Sequence, residues 1–126
     1  MILALELSSR RGSVVLHDGT NVVAEQAWDE PAVRHQAFFD AVPRVMNEAG
    51  VTWNQLRAIA AGRGPGAFSG VRVGLVAAQA FARPSLTPVL AVSSGEAMAM
   101  DLVAEAAGQP IVIAGDARRG SIWYAM

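Results

Sequence analysis

Apolar and polar positions alternate between two periods along the chain, and the changes of period mark its elements. Ile2 to Leu7 is an apolar run broken only by Glu6, the pattern of a central strand covered on both faces. Ser8 to Gly12 is a polar turn. Ser13 to His17 then alternates towards Asp18-Gly19, a dipeptide that favours a two-residue hairpin, and the next strand spans Asn21 to Trp28. Three strands joined this way form an antiparallel meander. From Arg34 to Ala49 the apolar residues Phe38, Ala41, Val42, Val45, Met46 and Ala49 recur at spacings of three and four, which is one face of a helix. Pro43 falls inside that helix and predicts a bend near Phe39, because it removes a backbone donor. Gly50 stops the helix, Thr52 or Asn54 caps a short helical turn, and Arg57 to Ala61 is a strand.

The stretch Gly62-Arg63-Gly64-Pro65-Gly66-Ala67-Phe68-Ser69-Gly70-Val71-Arg72-Val73-Gly74 sits between that strand and a helix over Val71 to Ala82, so its glycines occupy a strand-to-helix turn. Gly74, Ala77, Ala78, Ala80 and Ala82 give the helix a small-residue surface open to close approach, and Arg83-Pro84 ends it. Pro88 to Val92 is a strand. Ser93-Ser94-Gly95-Glu96 spells a capping box for a helix that Gly108 stops. Pro110 to Ala114 reads as a buried strand, Gly115 to Gly120 as a polar turn, and Ser121 to Met126 as the start of another strand. The order predicts an α/β fold with a mixed sheet, in which Glu6, the glycine loop and Asp116 lie at strand ends. A strand begun near Met126 has nothing after it to cover it, so the 126 residues are expected to be a fragment: residues 1–108 as one lobe and 109–126 as the start of a second.

Composition narrows the function classes. The formal charge is −1 and the ten basic residues, all arginine, are scattered, so the chain has no electrostatic footprint for gripping a nucleic acid by itself. Hydrophobic residues make up 52% and charged residues 17%, an apolar excess that points to a covered face. Cysteine is absent, and the two histidines, His17 and His35, have no metal-ligand spacing. Glu6 interrupts the apolar amino terminus and no eighteen-residue apolar run occurs, so a cytoplasmic protein without membrane contact is expected.

The glycine loop has two readings, a phosphate cradle made of backbone N–H groups and a tight connection that packs a helix on a sheet. Glu6, Ser8 and Ser9 could hold hydrated Mg²⁺ and phosphate oxygens, or form a solvated turn. Asp116, beside Arg118, Arg119 and Gly120, offers a second turn that could face the same cleft. Arg72 is expected to pair with an acid such as Glu6 or to meet an anion. His35 reads as a capping or packing residue, and Trp28, Trp53, Trp123 and Tyr124 as packing aromatics.

GRGPGAFSGVRVG resembles the signature of the TsaB (YeaZ) family, GRGPGSFTG followed by a hydrophobic residue and RxG. The resemblance extends to ILALELSS, similar to the family's ILALDTS, to Arg34-His35 at the start of the first helix, and to DARRGSIWYAM, similar to DARRGEVYxA. It covers essentially the whole chain, although family members are usually nearly twice as long. Glu6 stands where the family has Asp, and Arg83-Pro84-Ser85 replaces a more apolar helix end.

The resemblance implies an actin-like ATPase (ASKHA, ribonuclease H-like) lobe with a five-stranded mixed sheet. It implies a non-catalytic partner of the TsaD transferase that, with the TsaE ATPase, places threonylcarbamoyl on adenosine 37 of tRNAs, so that tRNA is met only through the complex. It implies no cofactor of the chain's own, ATP or ADP with Mg²⁺ being expected at a shared cleft near Glu6, Ser8, Ser9, Gly64, Gly66, Gly70 and Asp116. It places the interface, with TsaD or with a second copy when alone, on the two helices through Phe38, Ala41, Val42, Val45, Met46, Val71, Leu75 and Ala78. The catalytic relative binds its metal through a histidine pair, one ligand of which follows the strand that ends here in Val92, where this chain has Ser93 and Ser94. No catalytic residue is assigned. The competing readings are an ATP-binding kinase or transferase half and a module that only self-associates.

Overall fold

The computed structural model describes residues 1–29, 36–118 and 120–126. Its centre is a five-stranded sheet in the order β3-β2-β1-β4-β5, built from β1 (Ile2–Glu6), β2 (Arg11–His17), β3 (Val22–Asp29), β4 (Ala58–Gly62) and β5 (Val89–Val92). β1 pairs antiparallel with β2 and parallel with β4, and β4 pairs parallel with β5. The mixed sheet is therefore the meander expected from the strand order, extended on the other side of β1 by two crossover strands. Three helices, α1 (Gln36–Glu48), α2 (Phe68–Ala82) and α3 (Ser94–Ala106), follow β3, β4 and β5, and a separate two-stranded antiparallel sheet joins β6 (Ile113–Arg118) to β7 (Ser121–Ala125).

One side of the sheet makes the core. Leu3, Leu5, Val14 and Leu16 alternate with half-buried neighbours, so β1 is covered fully on one face only, not on both as its apolar run suggests. Phe38 is wholly buried, with ring centroids 6.5 Å from Trp28 and 6.4 Å from Phe81. α1 passes unbroken through Pro43, which lies on the exposed side, where water can take the carbonyl that lost its donor. The expected opening of this helix at Arg34-His35 lies outside the described residues.

Three expectations are corrected. The β2–β3 connection is four residues long, because the Asp18 carboxylate accepts from the N–H groups of Thr20 and Asn21, both at 2.7 Å, and closes a wider turn than the Asp18-Gly19 pair alone would make. Those two backbone donors hold the Asp18 carboxyl below the ordinary carboxylate range. Gly115 to Arg118 is strand and not turn, since β6 begins at Ile113 rather than at Pro110, and this puts Asp116 within the strand. Nor is β6 buried: α3 touches the two-stranded sheet without covering it, and Ile122 and Tyr124 on β7 are 75% and 67% exposed.

Candidate functional site

β1, β4 and β5 bring their carboxyl ends together, as parallel neighbours must, and the three loops that follow them converge there. The glycine loop is tied on two sides. Ala67 N–H donates to the Ser8 carbonyl at 2.6 Å, Arg63 N–H to the Val92 carbonyl at 2.8 Å, and Ser94 N–H to the Gly64 carbonyl at 3.0 Å. Gly70, in the first turn of α2, lies against the chain after β1 so closely that a Cβ there would fall on the Leu7 carbonyl oxygen, and one at Gly66 would fall on that of Ser8. These glycines let α2 start directly over the end of β1. The carbonyls of Leu7 and Ser8 fill the space beside them, which is the close approach that a tight connection requires.

Glu6 ends β1. Its Oε1 accepts from Ser8 N–H at 2.5 Å and its Oε2 from the Ser94 hydroxyl at 2.7 Å, and both serines are buried. Arg72 does not pair with it: the guanidinium lies 5.4 Å from the centre of the Phe68 ring. His17 accepts from Gly19 N–H through Nδ1 at 2.9 Å and belongs to the hairpin. Between the glycine loop and the β6–β7 sheet lies a cleft of about 830 Å³, whose lining includes Ser8, Ser9, Arg10, Arg63, Gly66, Phe68, Val71, Met98, Asp116 and Trp123. Ser8, Ser9, Gly66 and Asp116, read separately from the sequence, thus share one cavity, while Glu6, Gly64 and Gly70 do not line it. Met98 and Trp123 were not anticipated, since apolar residues in a helix and a strand carry no signal for a cleft. Among the described residues no three His, Asp or Glu side chains converge as a metal site.

The expected interface residues divide. Phe38, Ala41, Val42, Val45 and Met46 are between 0% and 4% exposed, packed towards the sheet, and Ala78 is wholly buried, so these six are core and not contact surface. The helical period identified the apolar face correctly but could not say that the chain's own sheet covers it. Val71 and Leu75 are half-buried. The exposed large apolar residues of these two helices are others: Phe39 on α1 at 54%, and Phe68 and Val76 on α2 at 74% and 64%.

A family model described as "TsaD: tRNA N6-adenosine threonylcarbamoyltransferase" matches residues 31–126. The chain is 32% identical to the tRNA threonylcarbamoyladenosine biosynthesis protein TsaB of Escherichia coli K12, over 98% of this chain and 53% of that protein. The chain belongs to the TsaD family, as a TsaB (YeaZ) member. The TsaB protein of Haemophilus influenzae is 36% identical over 98% of the chain and 52% of its own length. Among solved structures, YeaZ from Pseudomonas aeruginosa superposes with a TM-score of 0.85 at 35% identity, over 98% of this chain and 57% of that one. The fold is accordingly of the actin-like (ASKHA) type, and the chain spans about half the length of the TsaB relatives it matches.

Proposed function

We propose that the chain acts in tRNA threonylcarbamoyladenosine biosynthesis as a non-catalytic scaffold that supports a TsaD-type transferase. The observation that carries this reading is the outer side of α2. The glycines seat the helix on β1 while Phe68, Arg72 and Val76, at successive four-residue steps, face away from the core. An exposed apolar side chain on each side of an arginine is the composition of a contact surface. A TsaD-type transferase, or a second copy when the chain is alone, is the partner assigned to it. A TsaE-type ATPase and the tRNA join through the complex, in the cytoplasm, and residues 1–108 serve as the first lobe with 109–126 as the start of the second. ATP or ADP with Mg²⁺ is assigned to the cleft only when a partner shares it.

Val76→Asp tests the surface, because it places a charge on a residue that is 64% exposed and leaves the core alone. In a calorimetric titration the variant is expected to bind the transferase roughly tenfold to a hundredfold more weakly at unchanged thermal stability. Equal affinity for both proteins would remove α2 from the interface. The cleft supports a second reading, an ATP-binding kinase or transferase half, through its combination of Ser8, Ser9, Arg63 and Asp116. Micromolar binding of Mg-ATP to the isolated chain would favour that reading over the scaffold.

A further inference from the structure

Glu6 ties its own turn to two segments distant in sequence. Beside the bonds from Ser8 N–H and the Ser94 hydroxyl, its carboxylate lies over Gly62, where a Cβ would fall on Oε2. Gly62 thus serves as the seat of this side chain rather than as part of the turn. Ser94 is the first residue of α3, and next to it Gly95 approaches β7: a Cβ there would stand 3.4 Å from that of Ala125 and 3.8 Å from the Trp123 ring. Beyond Gly95 every residue of α3 is exposed or half-buried. The attachment of α3 to the five-stranded lobe is therefore concentrated in its first turn, and β6–β7, which carries Asp116 and Trp123, packs against that same turn.

We propose that the Glu6 carboxylate is a latch. By holding Ser94 to the end of β1 it sets the position of α3 and β6–β7 relative to the glycine loop, and so the width of the cleft between Phe68 and Trp123. Glu6 acts here as a positioning residue through Ser94. A hydrogen bond to a charged group is among the stronger side-chain ties, and it acts here beside the backbone bonds from Ser94 N–H to the Gly64 carbonyl and from Arg63 N–H to the Val92 carbonyl. Its length matters as well: a carboxylate one methylene shorter would leave the space over Gly62 empty and fall short of Ser94.

Hydrogen exchange read by mass spectrometry on the full chain tests the latch with four single variants and one double variant. Glu6→Ala and Ser94→Ala are each expected to speed amide exchange in residues 94–106 and 113–125 by about tenfold to a hundredfold, while β1 to β4 exchange as in the parent. Combining the two should add little to Glu6→Ala alone, because both remove the same bond. Gly62→Ala keeps the carboxylate but pushes it off its seat, and should release the same two segments. Glu6→Gln, which can still accept from Ser8 and donate to Ser94 but lacks the charge, should fall between the parent and Glu6→Ala. Unchanged exchange in residues 94–125 after Glu6→Ala and Ser94→Ala would overturn the proposal. So would an equal acceleration across the five-stranded sheet, which would make Glu6 a support of the whole fold.

Discussion

Gly70→Ala is expected to destabilise the chain by at least about 2 kcal/mol, lowering its unfolding midpoint by roughly 8 °C. On helix propensity alone the change should help, by about 1 kcal/mol, since Gly70 lies within α2. The contact decides the sign. The new Cβ would fall on the Leu7 carbonyl oxygen, a backbone atom fixed by the end of β1, so either α2 lifts off the sheet or β1 shifts under it. Lifting α2 also strains the 2.6 Å bond from Ala67 N–H to the Ser8 carbonyl, which closes the loop on its other side. Gly74→Ala is the matched control. There the nearest atom is the terminal Cδ1 of Leu7 at 3.2 Å, which a rotamer change can move, so propensity and crowding should nearly cancel. Thermal unfolding followed by circular dichroism separates the two, and equal midpoints for both variants would show that the glycine loop is not what seats the helix.

Phe38→Ala should cost about 3–5 kcal/mol, enough to leave a domain of this size partly unfolded at room temperature. Its ring is wholly buried and meets Trp28, Phe39 and Phe81, the last on α2, so its removal opens a void where both helices and the sheet come together. Phe39→Ala, one residue on, should change stability by less than about 1 kcal/mol, because that ring is 54% exposed. Urea unfolding of the two variants distinguishes a core face of α1 from a contact face. If Phe38→Ala were stable and only its partner binding fell, the assignment of that face to the core would fail.

Much of this architecture was legible in the order of elements. The meander, the α1 period, the Ser93 cap and the strand-to-helix glycine turn all rest on local rules, and Ser93 Oγ does accept from Glu96 N–H at 3.3 Å. What could not be read is what depends on contacts between distant segments. Phe38, Val42 and Val45 show an apolar face, but only the sheet beneath them decides that it is core. Glu6 has the chemistry of a metal ligand in isolation, whereas its position between Ser8, Gly62 and Ser94 commits both oxygens to hydrogen bonds. β6 starts three residues and ends four residues later than expected, because the DAR segment has no strand signature of its own and is held by pairing with β7. Ser8, Ser9, Gly66 and Asp116 were drawn together by topology, as parallel strand ends and the adjoining hairpin meet on one side.

The role proposed for this chain is to support a transferase instead of performing the transfer. It is tested most directly by the yield of threonylcarbamoyladenosine on tRNA in a reaction containing a TsaD-type transferase, a TsaE-type ATPase, ATP and the threonylcarbamoyl donor, with and without the chain. The account predicts that modification rises when the chain is added, that Val76→Asp abolishes most of the rise, and that the chain without the transferase modifies nothing. An unchanged yield on adding the chain, or modification by the chain alone, would contradict it.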